Sequence, residues 1–232
     1  MKAMILAAGR GRGMVPLTDS IPKPLLRVGG KALIQRQVEK LADAGFRQLV
    51  VNLWYLGQMI EAFLGDGNRW GCEISYSWEE QPLETAGGIQ RALPLLGPGP
   101  FAVVNGDIWT TYDLGQLLRH ELTAGCLAHL VLVDNPPHHR RGDFHLPEDG
   151  RLRTRRENGP DTLTFSGMAI YHPDFFAGAA PGRRRLLEPL QEHMTLGQVS
   201  GEHFRGKWED VGTPQRLAAL NAELRRKGVG DK

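Results

Sequence analysis

A doubly wound α/β fold, with a mostly parallel sheet covered by helices on both faces, is what this sequence predicts. Three observations predict it. Short apolar runs, Met4 to Ala8, Gln48 to Leu53 and Phe101 to Asn105, recur through the first half with the unbroken character of strands buried on both sides. Amphipathic helical stretches separate these runs at spacings suited to βαβ units. The chain of 232 residues, 41% hydrophobic and 23% charged, is long enough for one large core, and no shift in composition marks a domain boundary.

Met4 to Ala8 reads as the first strand, stopped by Gly9. Lys31 to Ala44 carries Leu33, Ile34, Val38, Leu41 and Ala42 on one helical face, with Gly45 as the C′ residue just past its end. Gln48 to Leu53 is the second strand, Leu56 to Leu64 a short helix, and Cys72 to Trp78 alternates as a half-buried strand. Thr85 to Leu95 reads as a helix with Thr85 as its N-cap. The next apolar run, Phe101 to Asn105, is followed at once by Gly106 and Asp107. In the second half, Cys126 to Asp134 and Thr162 to Tyr171 are strand-like, with loops or a hairpin between Asn135 and Arg156. Gly182 to Met194 reads as helical, Val199 to Phe204 (VSGEHF) as a strand, and Thr213 to Arg226 as a helix with Thr213 at the N-cap and Pro214 at N1. The tail after Lys227 is expected to fray.

Composition narrows the function classes. A formal net charge of +2 is too mild to make nucleic acid or a membrane surface the principal partner. The apolar stretch at the N-terminus is shorter than the ~7–15 residues of a secretion signal, and no window approaches the ~20 apolar residues of a membrane span. Cys72 and Cys126 lie far apart, with no histidine at metal-ligand spacing, so a reducing, cytoplasmic setting is expected.

The stretch LAAGRGRGMVPLTDSIPKPL, Leu6 to Leu25, follows the first strand. Glycine-rich turns between a buried strand and a helix let backbone amides approach an anion. The loop is not a P-loop, which needs GxxxxGK[ST]. Nor is it a dinucleotide fingerprint, because Met14 stands at the sixth position and Asn52 and Leu53 replace the acidic residue at the end of the second strand. Pro22 and Pro24 fix the backbone on either side of Lys23, which lowers the entropy lost in holding its ammonium on a phosphate.

This stretch resembles the signature of the sugar-1-phosphate nucleotidylyltransferases, LAAGxGxRMxPLTxxxPKPLxPVxGxPLI, matched here by LAAGRGRGMVPLTDSIPKPLLRVGGKALI. Two further signatures follow in order, VNGD (Val104 to Asp107) and WEDVGTPQRL (Trp208 to Leu217). Within the family, LGQMIEAFLGDG (Leu56 to Gly67), EQPLETAGGI (Glu80 to Ile89), VDNPPHH (Val133 to His139) and GQVSGEHFRGKWEDVGT (Gly197 to Thr213) resemble the uridylyltransferases that act on N-acetylmuramate 1-phosphate in peptidoglycan recycling. Hexose-1-phosphate or phosphocholine nucleotidylyltransferases are alternatives, as is a nucleotide-sugar binding module without turnover.

The resemblance implies a Rossmann-like nucleotide-diphospho-sugar transferase fold of the GT-A type. It implies a single domain with a nucleotide-binding half at about 1–110 and a sugar-phosphate half at about 111–226. UTP and a sugar 1-phosphate are the implied partners, and Mg²⁺ the implied cofactor, held by Asp107 and Asp210. Lys23, Arg12 and Asp107 are the implied catalytic residues. Leu6, Ala8, Gly9, Gly11, Arg12, Gly13, Lys23, Gln81 and Gly87 are expected at the nucleotide, and Asn105, Gly142 and Ser166 at the sugar. Without the C-terminal extension or β-helix domain of other family members, a monomer is expected. One departure stands out: Gly13 replaces the arginine of the pattern, and Val15 a residue that is often basic. Arg10 and Arg12 are the candidates to supply the missing charge; if neither does, Gly13→Arg is expected to raise turnover. His138 to Arg141 (HHRR) reads as a solvated basic loop or as lining for an acidic sugar. Gly182 to Arg185 reads as a solvated face, and Trp54 and Tyr55 as packing.

Overall fold

The computed structural model of the chain describes residues 1–155 and 161–228. Strand β1 (Ala3–Leu6) leads to the short pair β2 (Arg27–Val28) and β3 (Lys31–Ala32), then α1 (Leu33–Asp43), β4 (Gln48–Leu53), α2 (Gly57–Leu64), β5 (Glu73–Trp78), α3 (Glu84–Leu96) and β6 (Phe101–Asn105). The second half holds β7 (Ile108–Thr110), α4 (Gly115–Arg119), β8 (Ala128–Val133), β9 (Phe144–His145), β10 (Arg153–Thr154) and β11 (Thr164–Tyr171). It closes with α5 (Leu187–Thr195), β12 (Val199–Phe204), β13 (Trp208–Asp210) and α6 (Pro214–Arg226).

Seven strands form one sheet in the order β12-β8-β11-β6-β1-β4-β5, so both halves of the chain contribute to it. Only β11 runs against its neighbours β6 and β8; the other pairs are parallel. Alternate residues of β1 face opposite cores, as the two-residue period of a strand requires. Ala3 and Ile5 pack with Ile34, Val38 and Leu41 of α1 and Ile60 of α2. Met4 packs with Ala86, Ile89 and Ala92 of α3 and Leu190 of α5. The half-buried alternation of β5 fits its place at the sheet edge.

The chain steps outward from β1 to β4 and β5, then returns over them through α3 to β6. Right-handed crossovers taken in opposite directions put α1 and α2 on one face and α3 on the other. The reversal of direction leaves a crevice at the carboxyl ends of the adjacent strands β1 and β6.

Helix ends follow the sequence in two cases. Gly45 (φ 105) closes α1, with Gly45 N donating to Ala42 O and Phe46 N to Leu41 O, both at 3.0 Å. Thr213 caps α6, its hydroxyl accepting from Arg216 N at 3.2 Å, and Pro214 follows at the first helical position; loss of such a cap costs about 1 kcal/mol. Three expectations shift. Lys31 and Ala32 pair with β2 rather than opening α1. Thr85 is not the N-cap of α3, because the chain enters the helix one residue earlier through Glu84 in the left-handed region (φ 60), whose carboxylate Arg183 holds at 2.6 Å. Residues 182–185 are not helical: Arg184 N donates to Leu83 O (2.8 Å) and Gly87 N to Arg184 O (3.2 Å), which docks this segment on α3 and delays α5 to Leu187. The expected hairpin between 135 and 155 is the β9–β10 pair. The tail beyond 228 lies outside the described residues. Both cysteines are free and buried, and among the described residues no helix is long and apolar enough to cross a membrane.

A buried polar cluster joins α4 to the β8–β12 side of the sheet. His120 and His129 stack with ring centroids 3.8 Å apart, and neither Nε2 has a hydrogen-bond partner. Tyr112 donates its hydroxyl to Glu202, and His129 Nδ1 lies 2.9 Å from Ser200 Oγ. Burial, reinforced by His129, lowers His120 from its ordinary value of 6.5, while His129 and the Tyr112 hydroxyl hold Glu202 below its ordinary 4.5. Both shifts make acid destabilising. Below about pH 6.5 the unfolded chain binds a proton at His120 that the folded chain resists; below about 4.5 the unfolded chain protonates Glu202 first. The unfolding temperature is therefore expected to fall in two steps on acidification, and His120→Phe, which keeps a ring over His129, to flatten the first step between about pH 6.5 and 5. Calorimetry across that range checks it; an unchanged slope in the variant would remove His120 as the cause.

Candidate active site

A cleft of about 630 Å³ opens at the switch point between β1 and β6. Its walls are the 6–13 loop, Lys23 and Pro24, Asn105 at the end of β6 and Asp107 just beyond it, and Glu79 with residues 82–85. Leu6, Ala8, Gly9, Gly11, Arg12, Gly13, Lys23, Asn105 and Asp107 thus converge as the sequence predicts. Among the described residues, the amides of Ala8, Gly9, Arg10 and Gly11 donate no backbone hydrogen bond, which leaves a run of N–H groups available to an anion.

A polar chain that sequence reasoning missed holds this loop in place. Asn52 Oδ1 accepts from Ala7 N at 2.8 Å, Asn52 Nδ2 donates to Glu79 Oε1 at 2.7 Å, and Glu79 Oε2 accepts from Leu83 N at 3.1 Å. Asn52 and Glu79 are 4% and 6% exposed, so their partners replace water almost completely. Burial pushes the Glu79 carboxyl up, and the bonds from Asn52 and Leu83 N pull it back. The available signal was Asn52 itself, an amide inside the apolar run QLVVNL.

The chain's charged residues meet in opposite pairs. Lys23 Nζ donates to Asp107 Oδ2, with the lysine side chain only 13% exposed. Asp210 does not line the cleft but reaches the backbone beside Asp107: it is in register with Ile108 in the β7–β13 ladder, and Val211 N donates to Asp107 O at 3.0 Å. Its own carboxylate accepts from Arg216 at 2.5 Å and lies 3.0 Å from His138 Nε2. Arg216 is a further neighbour that the sequence did not single out, whereas His138 belongs to the HHRR stretch read as a solvated loop or as lining for an acidic sugar.

Other expected contacts are placed differently. Gln81 is exposed at the rim and does not line the cleft. Gly87 is buried under the 182–184 segment, where an added Cβ would stand 2.2 Å from Gly182 O. Ser166 is 1% exposed, and its hydroxyl donates to Val131 O (2.6 Å) and accepts from Met168 N (3.2 Å), so it braces the irregularity in β11 instead of facing a sugar. Gly142 lines a second cleft beside His138 to Arg141. Trp54 and Arg183 do wall the main cleft. Arg183, expected on a solvated face, reaches it because its segment docks on α3.

Of the two candidates for the missing charge, Arg10 is engaged elsewhere. It lies 3.9 Å over the Tyr55 ring, donates to Thr18 O at 2.8 Å and pairs with Asp19 at 3.2 Å. Arg12 is exposed, lines the cleft and has no side-chain partner among the described residues, which leaves it as the loop's uncommitted cation. Position 13 itself has no room: a Cβ there would stand 2.5 Å from the backbone oxygen of Gly212. The expectation that Gly13→Arg restores a missing contact is therefore corrected, since any side chain forces the loop away from the 211–213 backbone. Overpacking of this kind costs about 1–3 kcal/mol, so Gly13→Ala and Gly13→Arg are expected to lower the unfolding temperature by roughly 2–10 °C. Thermal unfolding checks this; an unchanged midpoint for Gly13→Arg would show that the two backbones separate freely.

Comparison with known proteins agrees with this geometry. A family model described as nucleotidyl transferase matches residues 2–227. The chain is 50% identical over 226 residues to an N-acetylmuramate alpha-1-phosphate uridylyltransferase of Neisseria meningitidis serogroup B, covering 96% of this chain and 97% of that protein. It is 36% identical to a protein of the same name from Caulobacter vibrioides, covering 96% of each. The crystal structure of HddC from Yersinia pseudotuberculosis shares the fold, with a TM-score of 0.80 at 21% identity over 96% of this chain and 99% of that one. With the glycine-rich loop, Lys23 and Asp107 gathered at the carboxyl ends of the adjacent strands β1 and β6 and the family match running almost end to end, this chain belongs to the nucleotidyl transferase family.

Proposed function

We propose that this chain transfers UMP from UTP to N-acetylmuramate 1-phosphate and releases pyrophosphate. The observation that carries the reading is the convergence of the 8–13 loop, Lys23 and Asp107 in one cleft, with Asp210 on the adjoining backbone through its pairing with Ile108, in a chain 50% identical to a relative named for that activity. A phosphate oxygen of the sugar phosphate attacks the α-phosphorus in line. One P–O bond forms as the bond to the leaving pyrophosphate breaks, and the pyrophosphate takes the electron pair. Direct displacement needs no nucleophile from the protein, so the chain supplies position and charge.

Lys23 is stiffened by its flanking prolines and sits at the mouth of the β6 strand, where its ammonium can pass from Asp107 to phosphate oxygens. The free amides of Ala8 to Gly11 receive the triphosphate, and Arg12 and Arg183 stand at the cleft walls for the outgoing charge. Asp107 and Asp210 are the residues that fit Mg²⁺: both offer hard carboxylate oxygens on adjoining backbones, and such an ion takes few carboxylates, completing its shell with water and substrate phosphate. When bound, the ion would neutralise charge on the reacting phosphates.

A matrix of nucleoside triphosphates against sugar 1-phosphates, scored for pyrophosphate, tests the reading; UTP with N-acetylmuramate 1-phosphate is expected to give the highest rate. A clear preference for another pair would move the chain to another activity of the family, and release with none would leave a binding module. Asp107→Asn and Asp210→Asn are each expected to remove most Mg²⁺-dependent turnover, because a neutral amide is a poor ligand for a hard cation, while leaving the unfolding temperature close to the parent's. Near-normal rates in either at saturating UTP would sink the metal assignment. Lys23→Ala is expected to reduce turnover or UTP affinity far more than stability, and parallel losses in both would make the lysine structural.

A further inference from the structure

A second cleft, of about 580 Å³, is walled by the 137–144 loop, by Thr154 and Arg155, and by Leu187 and Gln191 at α5. Among the described residues it gathers Arg140, Arg141 and Arg155 with two histidines against a single carboxylate, Asp143. That carboxylate is already engaged: Oδ1 lies 2.8 Å from His139 Nε2, and Oδ2 accepts from Phe165 N at 2.8 Å. The cavity therefore carries an excess of positive charge.

The backbone presenting Arg140 and Arg141 is clamped. Asn135 Nδ2 donates to Thr162 O at 2.9 Å and Arg140 O at 3.3 Å, and Asn135 Oδ1 accepts from Thr164 Oγ1 at 2.8 Å. Thr162 Oγ1 donates to Arg141 O at 2.6 Å. Gly142 (φ 55) completes the turn so closely that a Cβ would stand 2.5 Å from Asn135 Oδ1. A basic loop that only keeps the protein soluble needs no such fixation. The same loop is tied to the main site, because His138 Nε2 lies 3.0 Å from Asp210 Oδ1, so the basic cavity begins beside the aspartate pair.

We propose that this cavity recognises a carboxylate carried on the sugar ring of the sugar 1-phosphate, with Arg141 and Arg140 as its contacts. The proposal rests on the functional reading above and names what distinguishes its substrate. N-acetylmuramate is N-acetylglucosamine with an ether-linked lactyl group, whose carboxylate is ionised at neutral pH. A guanidinium matches a carboxylate with paired N–H···O bonds, and a fixed backbone reduces the entropy lost when the pair forms.

Titration calorimetry on the full chain, with Mg²⁺ and a non-hydrolysable UTP analogue present, compares N-acetylmuramate 1-phosphate with N-acetylglucosamine 1-phosphate. The wild type is expected to bind the first about tenfold or more tightly than the second. Arg141→Ala, and Arg140→Ala with Arg141→Ala, are expected to lose most of that advantage while affinity for the uncharged sugar's phosphate changes by less than about twofold; Arg141→Lys retains part of it. Equal losses for both ligands would assign the arginines to the shared phosphate, and no loss would make them a solvated surface; either result overturns the proposal. Equal binding of both ligands by the wild type also overturns it. If pyrophosphate is still released from UTP and N-acetylmuramate 1-phosphate, only the carboxylate site falls; if it is not, the functional reading falls as well.

Discussion

The buried chain from Ala7 N through Asn52 and Glu79 to Leu83 N is the interaction on which the nucleotide cleft depends. It ties the end of β1 to the ends of β4 and β5 and to the start of α3, the elements that wall one side of the cleft. Three parallel strands fix only the direction in which their loops leave the sheet. The Asn52 amide fixes where the first of those loops turns. Because both Asn52 and Glu79 are almost fully buried, removing either would strand a polar partner away from water, at a cost of about 1–3 kcal/mol. The same chain fills the space beside α3: a Cβ on Gly88 would lie 2.7 Å from Glu79 Oε1.

A second constraint acts from the opposite end of the sequence. The Gly13 backbone lies against Gly212, and Val211 N bonds Asp107 O, so the last signature of the chain closes over the first two. Met14 and Val211 share a small core with Leu220 and Leu224 of α6, which anchors this closure apart from the main sheet. The loop, Lys23 and both aspartates are therefore positioned by packing from three distant segments, and a change in any of them is felt at the others.

Most of the fold was legible because its cause is local. The apolar runs of β1, β4 and β6, the face of α1, the Gly45 closure and the Thr213-Pro214 start of α6 are each written in a few adjacent residues. The antiparallel course of β11 was not legible, since it is set by pairing with β6 and β8 across the whole chain. At the site, residues carried by a contiguous motif, from Leu6 to Lys23 and Asn105 to Asp107, were found. Asn52, Glu79, Arg183 and Arg216 were missed as members of the site because what recruits them is contact, not spacing. Gly87 and Ser166 mislead for the converse reason: they sit in or beside family-like stretches, yet tertiary packing turns one under the 182–184 segment and the other into the sheet.

Lys23 is matched to Asp107, Arg183 to Glu84 and Arg216 to Asp210, so these charges at and beside the cleft stand as neutral pairs. An unpaired cation in a partly buried cleft would be penalised by desolvation, and an unpaired aspartate likewise. Under the proposed function, binding a triphosphate and a sugar phosphate would be an exchange: phosphate oxygens would take the lysine and arginine, and the released carboxylates would become available to a cation. The free-energy gain of each new contact is reduced by the pair it breaks, which favours ligands bringing both signs of charge over a bare phosphate. Arg12 stands outside this scheme. It is exposed and lines the cleft, whereas Arg10 would have to leave its Tyr55, Thr18 and Asp19 contacts to reach inward. Under the proposed function, Arg12 is the loop residue that would supply the charge absent at position 13, with the close Gly13–Gly212 packing kept.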